Sequence, residues 1–169
     1  FYNMCNMTTD DCWMGNTTQD PGDYRPAAQF TGNTIDLGNA CQNFWQYRYK
    51  GITQCNIAIN KIPQVKFNDE AYQNRLIGEA KFLRGFYYFD LVKNFGGVPM
   101  VMSLMMPSEV QGIERASKEE TYALIEQDLK DAIAALPKKA EQSAADMGRA
   151  TSGAAKGMLA KVYLYQEKY

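Results

Sequence analysis

The sequence predicts an all-α fold of tetratricopeptide-like helical pairs joined by long loops, and three observations predict it. Apolar residues recur at three- and four-residue steps in four separate stretches. Proline or glycine punctuates the ends of the first three. A shift of about 76 positions lays Leu83, Phe86 and Tyr87 of the second stretch over Leu159, Val162 and Tyr163 of the fourth, so the stretches read as two related pairs. A strict tetratricopeptide array repeats every ~34 residues, so this repeat is divergent, stretched by an insertion between the pairs.

Residues 1–40 read as a loop-rich N-terminal segment. They are dense in Asp, Asn, Thr, Gly and Pro, with Asp20-Pro21-Gly22-Asp23 as a turn signal. Residues 41–169 then form the helical region. Its first helix runs from about Ala40 to Ile62, with Phe44, Trp45, Tyr49, Ile52, Cys55, Ile59 and Ile62 at helical steps before Pro63. Trp45 and Cys55 are assigned to the core. The second helix runs from about Asp69 to Phe95, with Asn68 or Asp69 as N-cap.

The stretch from Val98 to Arg115 contains Met100, Val101, Met102, Leu104, Met105 and Met106 without a sustained helical period, and reads as a connection with apolar anchors. Ser117 with Glu120 is a capping box opening the third helix, whose buried face is Tyr122, Ile125, Leu129, Ile133 and Leu136, with Pro137 as its stop. Thr151 caps the fourth, with Ala155, Leu159, Val162 and Tyr163 inward.

The second helix is the most informative. Leu76, Ala80, Leu83, Phe86, Tyr87 and Leu91 form one stripe, and Phe82, Tyr88, Phe89 and Phe95 widen it, as in a helix packed on several sides. Leu83, Phe86 and Tyr87 are therefore expected in the core, as scaffold and not as a binding surface. Glu79, Lys81 and Arg84 are expected to form ion pairs along their own helix rather than an acid–base site. Gly96 and Gly97 supply positive φ at the helix end, and Pro99 prevents continuation.

Composition narrows function. Eighteen Lys and Arg against nineteen Asp and Glu give a net charge of -1, which offers no field for nucleic acid. No stretch approaches the roughly eighteen apolar residues of a spanning helix, so membrane attachment would need a lipid or a partner. Cys5, Cys12, Cys41 and Cys55 make no C-x-x-C spacing and the chain has no His, so neither a metal site nor a cofactor is expected. Cys5 and Cys12 could bridge in an oxidising compartment. The opening without initiator Met or signal segment, and the close at Tyr163-Leu164-Tyr165-Gln166-Glu167-Lys168-Tyr169 inside a helical pattern, read as a fragment of a larger protein.

The run from Gly78 to Pro99, containing Glu79-Ala80-Lys81-Phe82-Leu83-Arg84 and Gly96-Gly97-Val98-Pro99, resembles the signature helix of the SusD/RagB family of outer-membrane nutrient-binding lipoproteins. The residues of that structural motif are Glu79, Ala80, Leu83, Arg84, Phe86, Tyr87, Gly96 and Pro99. Tyr49-x-x-Ile52-x-x-Cys55-Asn56 is similar to the family's first long helix. Arg115 to Ala132, and Gly148-Arg149-Ala150-Thr151 to Tyr165, are similar to the two segments that follow. The order agrees over about residues 40–169, and Thr9-Asp10-Asp11 looks like a short acidic segment preceding the first helix.

The resemblance implies a SusD-like α-solenoid lying in the N-terminal part of a longer protein. It further implies an outward-facing, lipid-anchored protein of the cell outer membrane, which captures glycan or peptide and passes it to a SusC-like TonB-dependent transporter. Cys5 is not set in a lipobox, so lipidation is implied by the resemblance alone. Sugar recognition needs aromatic faces and hydroxyl-pairing groups. Trp13 and Tyr24, in a loop that also carries Phe30, Asp11, Asn16, Gln19, Asp20 and Asp23, are the ligand-binding candidates.

A tetratricopeptide-type docking scaffold is the competing reading, which a regular array would favour. An enzyme using Asp10, Asp11 or Asp20 is not expected, since acidic loops near turns are solvated and no nucleophile motif is present.

Overall fold

The computed structural model describes residues 8–11, 30, 38–105, 107–110 and 112–168. It divides into two compact units, Phe1–Tyr47 and Arg48–Tyr169. Within the first, Thr8 to Asp11 form a turn, Phe30 is exposed with φ of 52°, and the first long helix begins at Gly38. There Phe44 is buried and Trp45, assigned to the core from sequence, is half-buried.

Four long helices make up the architecture of the described residues: α1 (Gly38–Lys61), α2 (Glu70–Phe95), α3 (Lys118–Ala135) and α4 (Ser152–Tyr165). No strand occurs among the described residues; the one isolated bridge pairs Pro99 with Arg115. Each predicted helix forms within two or three residues of its expected bounds, because caps and breakers act locally. Asp69 accepts from the Tyr72 amide at 3.0 Å, the Ser117–Glu120 capping box is closed in both directions, and Thr151 accepts from the Ala154 amide at 3.1 Å. Pro63 does not end the chain's turning at once: Ile62–Gln64 continues α1 as one 3-10 turn.

In the second unit, α2 lies between α1 and α3. Toward α3 it presents Gly78 and Gly85. A Cβ added at Gly78 would stand 2.8 Å from Ala135 Cβ, so the helices approach there more closely than a larger residue would allow, whereas one at Gly85 would meet Leu129 Cγ at 3.4 Å in ordinary contact. Toward α1, the Tyr87 ring covers Gly51 and the Tyr49 and Tyr88 rings meet edge to face, 6.5 Å between centroids. Ile125 and Leu129 on α3 are fully buried, each worth about 1.5–3 kcal/mol of transfer free energy. Ala132, Leu136 and Ala155 bring α3 and α4 together, with Phe82 packed on them, and the Ser152 hydroxyl donates to the Ile133 carbonyl at 3.0 Å.

Several sequence expectations are corrected, and Tyr87, expected in the core, is half-buried. Leu83 and Phe86 are not core: they are 43% and 37% exposed, whereas Ala80, Arg84, Tyr88, Phe89 and Leu91 are buried. The glycine contacts with α3 and the polar contacts with α1 turn α2 so that its widest apolar stripe is only partly covered. Phe86 accordingly differs from its repeat partner Val162, which is fully buried. Gly97 does not take positive φ; only Gly96 does, at 72°. Gly97 is needed instead for space, since a Cβ there would lie 2.0 Å from the Ala116 carbonyl oxygen.

The ion pairs are mainly between elements rather than along α2. Arg84 pairs with Asp128, Lys81 with Asp131, and Glu79 with Arg149 as well as with its neighbour Arg75.

Val98 to Arg115 is the expected anchored connection. Val98 and Val101 are buried, Met102, Leu104 and Met105 are exposed, and Pro107–Val110 adds a single helical turn. Met106 lies outside the described residues.

Candidate functional site

Polar chemistry in the second unit gathers in two places. The first is internal. Arg84 donates from Nε and Nη2 to both Asp128 oxygens at 2.7 Å each, and from Nη1 to Asn56 Oδ1 at 2.9 Å. Asn56 Nδ2 donates to the Val101 carbonyl at 2.8 Å. The Tyr88 hydroxyl donates to that same carbonyl at 3.1 Å and accepts from the Val101 amide at 2.8 Å. The Tyr49 hydroxyl donates to the Pro99 carbonyl at 2.7 Å.

Three helices thereby fix the segment leaving α2. Side chains of Arg84 and Asp128 are only 6% and 3% exposed. Burial works against both charges and raises the Asp128 carboxyl, while the bidentate contact with Asp128 holds the Arg84 guanidinium above its ordinary range.

None of these groups is poised for chemistry. Burial pushes the Tyr88 hydroxyl up to about 12 and the Cys55 thiol up to about 11, against the opposing charge of Arg84. Burial, with Tyr88 second, likewise raises the Tyr49 hydroxyl. A protonated thiol in such surroundings is a packing group. The network positions the backbone at Pro99 and Val101.

The second place is an open groove of ≈ 630 Å³ on α3 and the end of α4, lined among others by Tyr122, Glu126, Gln127, Lys130, Tyr165 and Gln166. The α3 residues Tyr122, Glu126 and Lys130 fall four apart and so share one face. Glu126 accepts from Lys168 at 2.7 Å, Gln166 at 3.0 Å and Lys130 at 3.1 Å. Partial burial opposes its charge, but those hydrogen bonds prevail and hold the carboxyl at about 2.

A carboxylate so acidic cannot deliver a proton near neutrality, so Glu126 does not fit the acid role in glycoside cleavage. Tyr165 is half exposed, with its ring edge-to-face with Phe89 at 5.1 Å. An exposed aromatic beside amide, carboxylate and ammonium groups suits a hydroxyl-rich ligand held without reaction.

The expected site residues fare unevenly. Trp13, Tyr24, Cys5 and Cys12 lie outside the described residues, as do Asn16, Gln19, Asp20 and Asp23. Asp10 and Asp11 are exposed in their turn, and Phe30 is 79% exposed. Of the structural motif, Arg84 and Ala80 are buried, Glu79 and Tyr87 half-buried, and Gly96 closes α2 with its amide on the Val92 carbonyl. Pro99 receives Tyr49, while Arg115 donates to the carbonyls of Gly97 and Phe95.

The partners Asn56 and Asp128 were not assigned from sequence, nor were Glu126, Tyr165 and Gln166. Asp128 carried a usable signal: a charged residue directly beside Leu129 on the apolar face of α3 requires a buried partner. Among the described residues no group of His, Cys, Asp and Glu could hold a metal ion, and no helix is long and apolar enough to cross a membrane.

Comparison with known proteins places these features. Residues 8–164 match the SusD-like family described as starch-binding and associating with the outer membrane. A SusD-like protein of Bacteroides ovatus is 30% identical over 167 residues, 96% of this chain but 29% of its own length. SusD-like protein P38 of Formosa agariphila is 35% identical over 89 residues, covering 52% of this chain and 17% of its own.

Among solved structures, a laminarin-binding SusD-like protein superposes with a TM-score of 0.75 at 34% identity, over 91% of this chain and 32% of that one. Surface glycan-binding protein A of Bacteroides uniformis gives 0.79 at 26% identity, over 98% and 36%. The chain thus spans about a third of the length of these relatives, as part of a larger protein. With its four helices, its buried Arg84 network and this match over 8–164, the chain belongs to the SusD-like family.

Proposed function

We propose that the full-length protein is a cell-surface glycan-binding component of a nutrient importer. In this reading it captures oligosaccharide or polysaccharide and delivers it to a SusC-like TonB-dependent outer-membrane transporter, held outward-facing by a lipid anchor. The observation that carries the reading is the family match along 8–164, whose description names starch binding and outer-membrane association. The relatives' laminarin and surface-glycan binding support a polysaccharide ligand over a peptide.

No catalytic step is assigned. The depressed pKa of Glu126 does not suit a general acid. Trp13 and Tyr24 are the proposed aromatic contacts of the N-terminal segment, and the Tyr165 groove is a further surface of suitable chemistry.

The test is native purification of the tagged full-length protein in mild detergent, followed by affinity electrophoresis through gels cast with laminarin or starch. Co-purification of a large β-barrel at near-equal stoichiometry, with retardation in at least one glycan gel, is the expected result. Soluble partners with no barrel and no retardation would overturn it in favour of a protein-docking scaffold, and barrel association with peptide capture alone would move the substrate to peptides.

A further inference from the structure

The apolar residues left uncovered on α2 form a window with a defined frame. At one end, Glu79 accepts from Arg149 Nε at 2.9 Å and from Arg75 Nε at 3.2 Å, and Arg75 pairs with Asp146 at 3.0 Å. At the other, Asp90 holds Arg48 and Lys93, each at 2.9 Å. Residues 79, 83, 86 and 90 follow each other by four, three and four, so Leu83 and Phe86 lie between these two ionic clusters on one face.

Both clusters pair their carboxylates internally, so Glu79, Asp146 and Asp90 are committed to partners within the frame. The two apolar side chains are not. Phe86 is also held in place: its ring packs edge to face on Tyr87 at 5.8 Å, and Tyr87 is itself seated against Gly51 of α1. A rigid, rimmed apolar patch loses little side-chain entropy when covered, which is the character of a contact surface.

We infer that this window is covered, within one molecule, by an apolar segment of the remainder of the full-length chain. This chain spans 29% of the Bacteroides ovatus relative and 36% of the Bacteroides uniformis structure. About two-thirds of such a protein must therefore find faces on which to pack, and α2 offers one already ordered and rimmed by paired carboxylates. The inference is independent of which nutrient is bound and survives failure of the importer reading.

The test uses the full-length protein as a monomer verified by light scattering, with no transporter present. Leu83→Cys and Phe86→Cys are labelled with a maleimide, Lys138→Cys serves as the exposed control, and labelling is read peptide by peptide by mass spectrometry. Labelling at 83 and 86 about tenfold or more slower than at 138, equalised by denaturant, is the expected result.

Equal rates in the monomer would overturn the inference, as would protection that appears only at high concentration or only with the barrel, which would assign the window to a second copy or to the transporter. Hydroxyl-radical footprinting of Phe86 in the unmodified protein decides the matter if a cysteine variant fails to fold. Low oxidation supports intramolecular cover, and oxidation matching exposed Met147 overturns it.

Discussion

Two ionic connections tie α2 to later parts of the chain, and they differ in surroundings. Arg84–Asp128 lies at the centre of the α2–α3 seam with side chains 6% and 3% exposed; Glu79–Arg149 lies at the rim with 15% and 37%. The central pair is bidentate and reaches Asn56 as well. The rim pair is solvent-screened and shared among Arg75, Glu79, Asp146 and Arg149. The same chemistry therefore does different jobs. A buried pair punishes any arrangement that leaves one charge alone, so it selects this docking of α2 on α3, whereas a screened cluster adds little and tolerates loss.

Breaking the central pair gives the largest expected effect. Asp128→Ala in the full-length protein should lose about 3–5 kcal/mol by chemical unfolding, with hydrogen exchange in α2 and α3 rising together. The double variant Arg84→Met with Asp128→Leu should lose clearly less than that; an equal or greater loss would show that the pair adds net energy rather than selecting the arrangement.

Tyr88→Phe comes next. It removes both hydroxyl contacts to Val101 and should cost about 1–3 kcal/mol, with faster amide exchange at Val101 as the local readout. Ser117→Ala, opening the α3 capping box, should lower stability by about 1 kcal/mol. Smallest is Arg149→Ala at the rim, expected below about 1 kcal/mol and further reduced by salt. A larger, salt-independent loss would erase the contrast between the two connections.

The groove sharpens the contrast through pH. Glu126 has its folded pKa depressed to about 2 from an ordinary 4.5, so its contribution is present above 4.5 and is lost as pH falls toward 2. Glu126→Gln should therefore be less stable than wild type near about pH 7, with the difference shrinking below about pH 4. A difference that persisted unchanged at low pH would mean that hydrogen bonding, not charge, holds the Lys130–Lys168–Gln166 contacts.

The helices were legible in the sequence because their signals are local. Asp69, Ser117–Glu120 and Thr151 cap within three residues, and Pro137 and Gly96 end what they adjoin. The orientation of α2 was not legible. A helix with large apolar groups nearly all round gives no preferred face, and α2 is turned by Gly78, Gly85 and the Arg84–Asp128 pair, whose members are 44 residues apart. Leu83 and Phe86 were therefore misplaced by the same breadth of pattern that made the helix itself easy to find. For the site, residue chemistry was visible but convergence was not. Glu126 and Gln166 meet only because α3 and α4 fold together, while Trp13 and Tyr24 lie outside the described residues.

The Tyr88 hydroxyl has a consequence for how the segment leaving α2 can be buried at all. A backbone stretch packed among helices, without a sheet to join, would ordinarily leave an amide and a carbonyl unpaired away from water. At Val101 one side chain occupies both, with Asn56 taking the second lone pair of the carbonyl. Ala116 donates to the Val98 carbonyl a few residues earlier. The anchored end of the connection is thus paired by side chains and not by a strand, and a Tyr88→Phe chain would leave the buried Val101 amide without that partner.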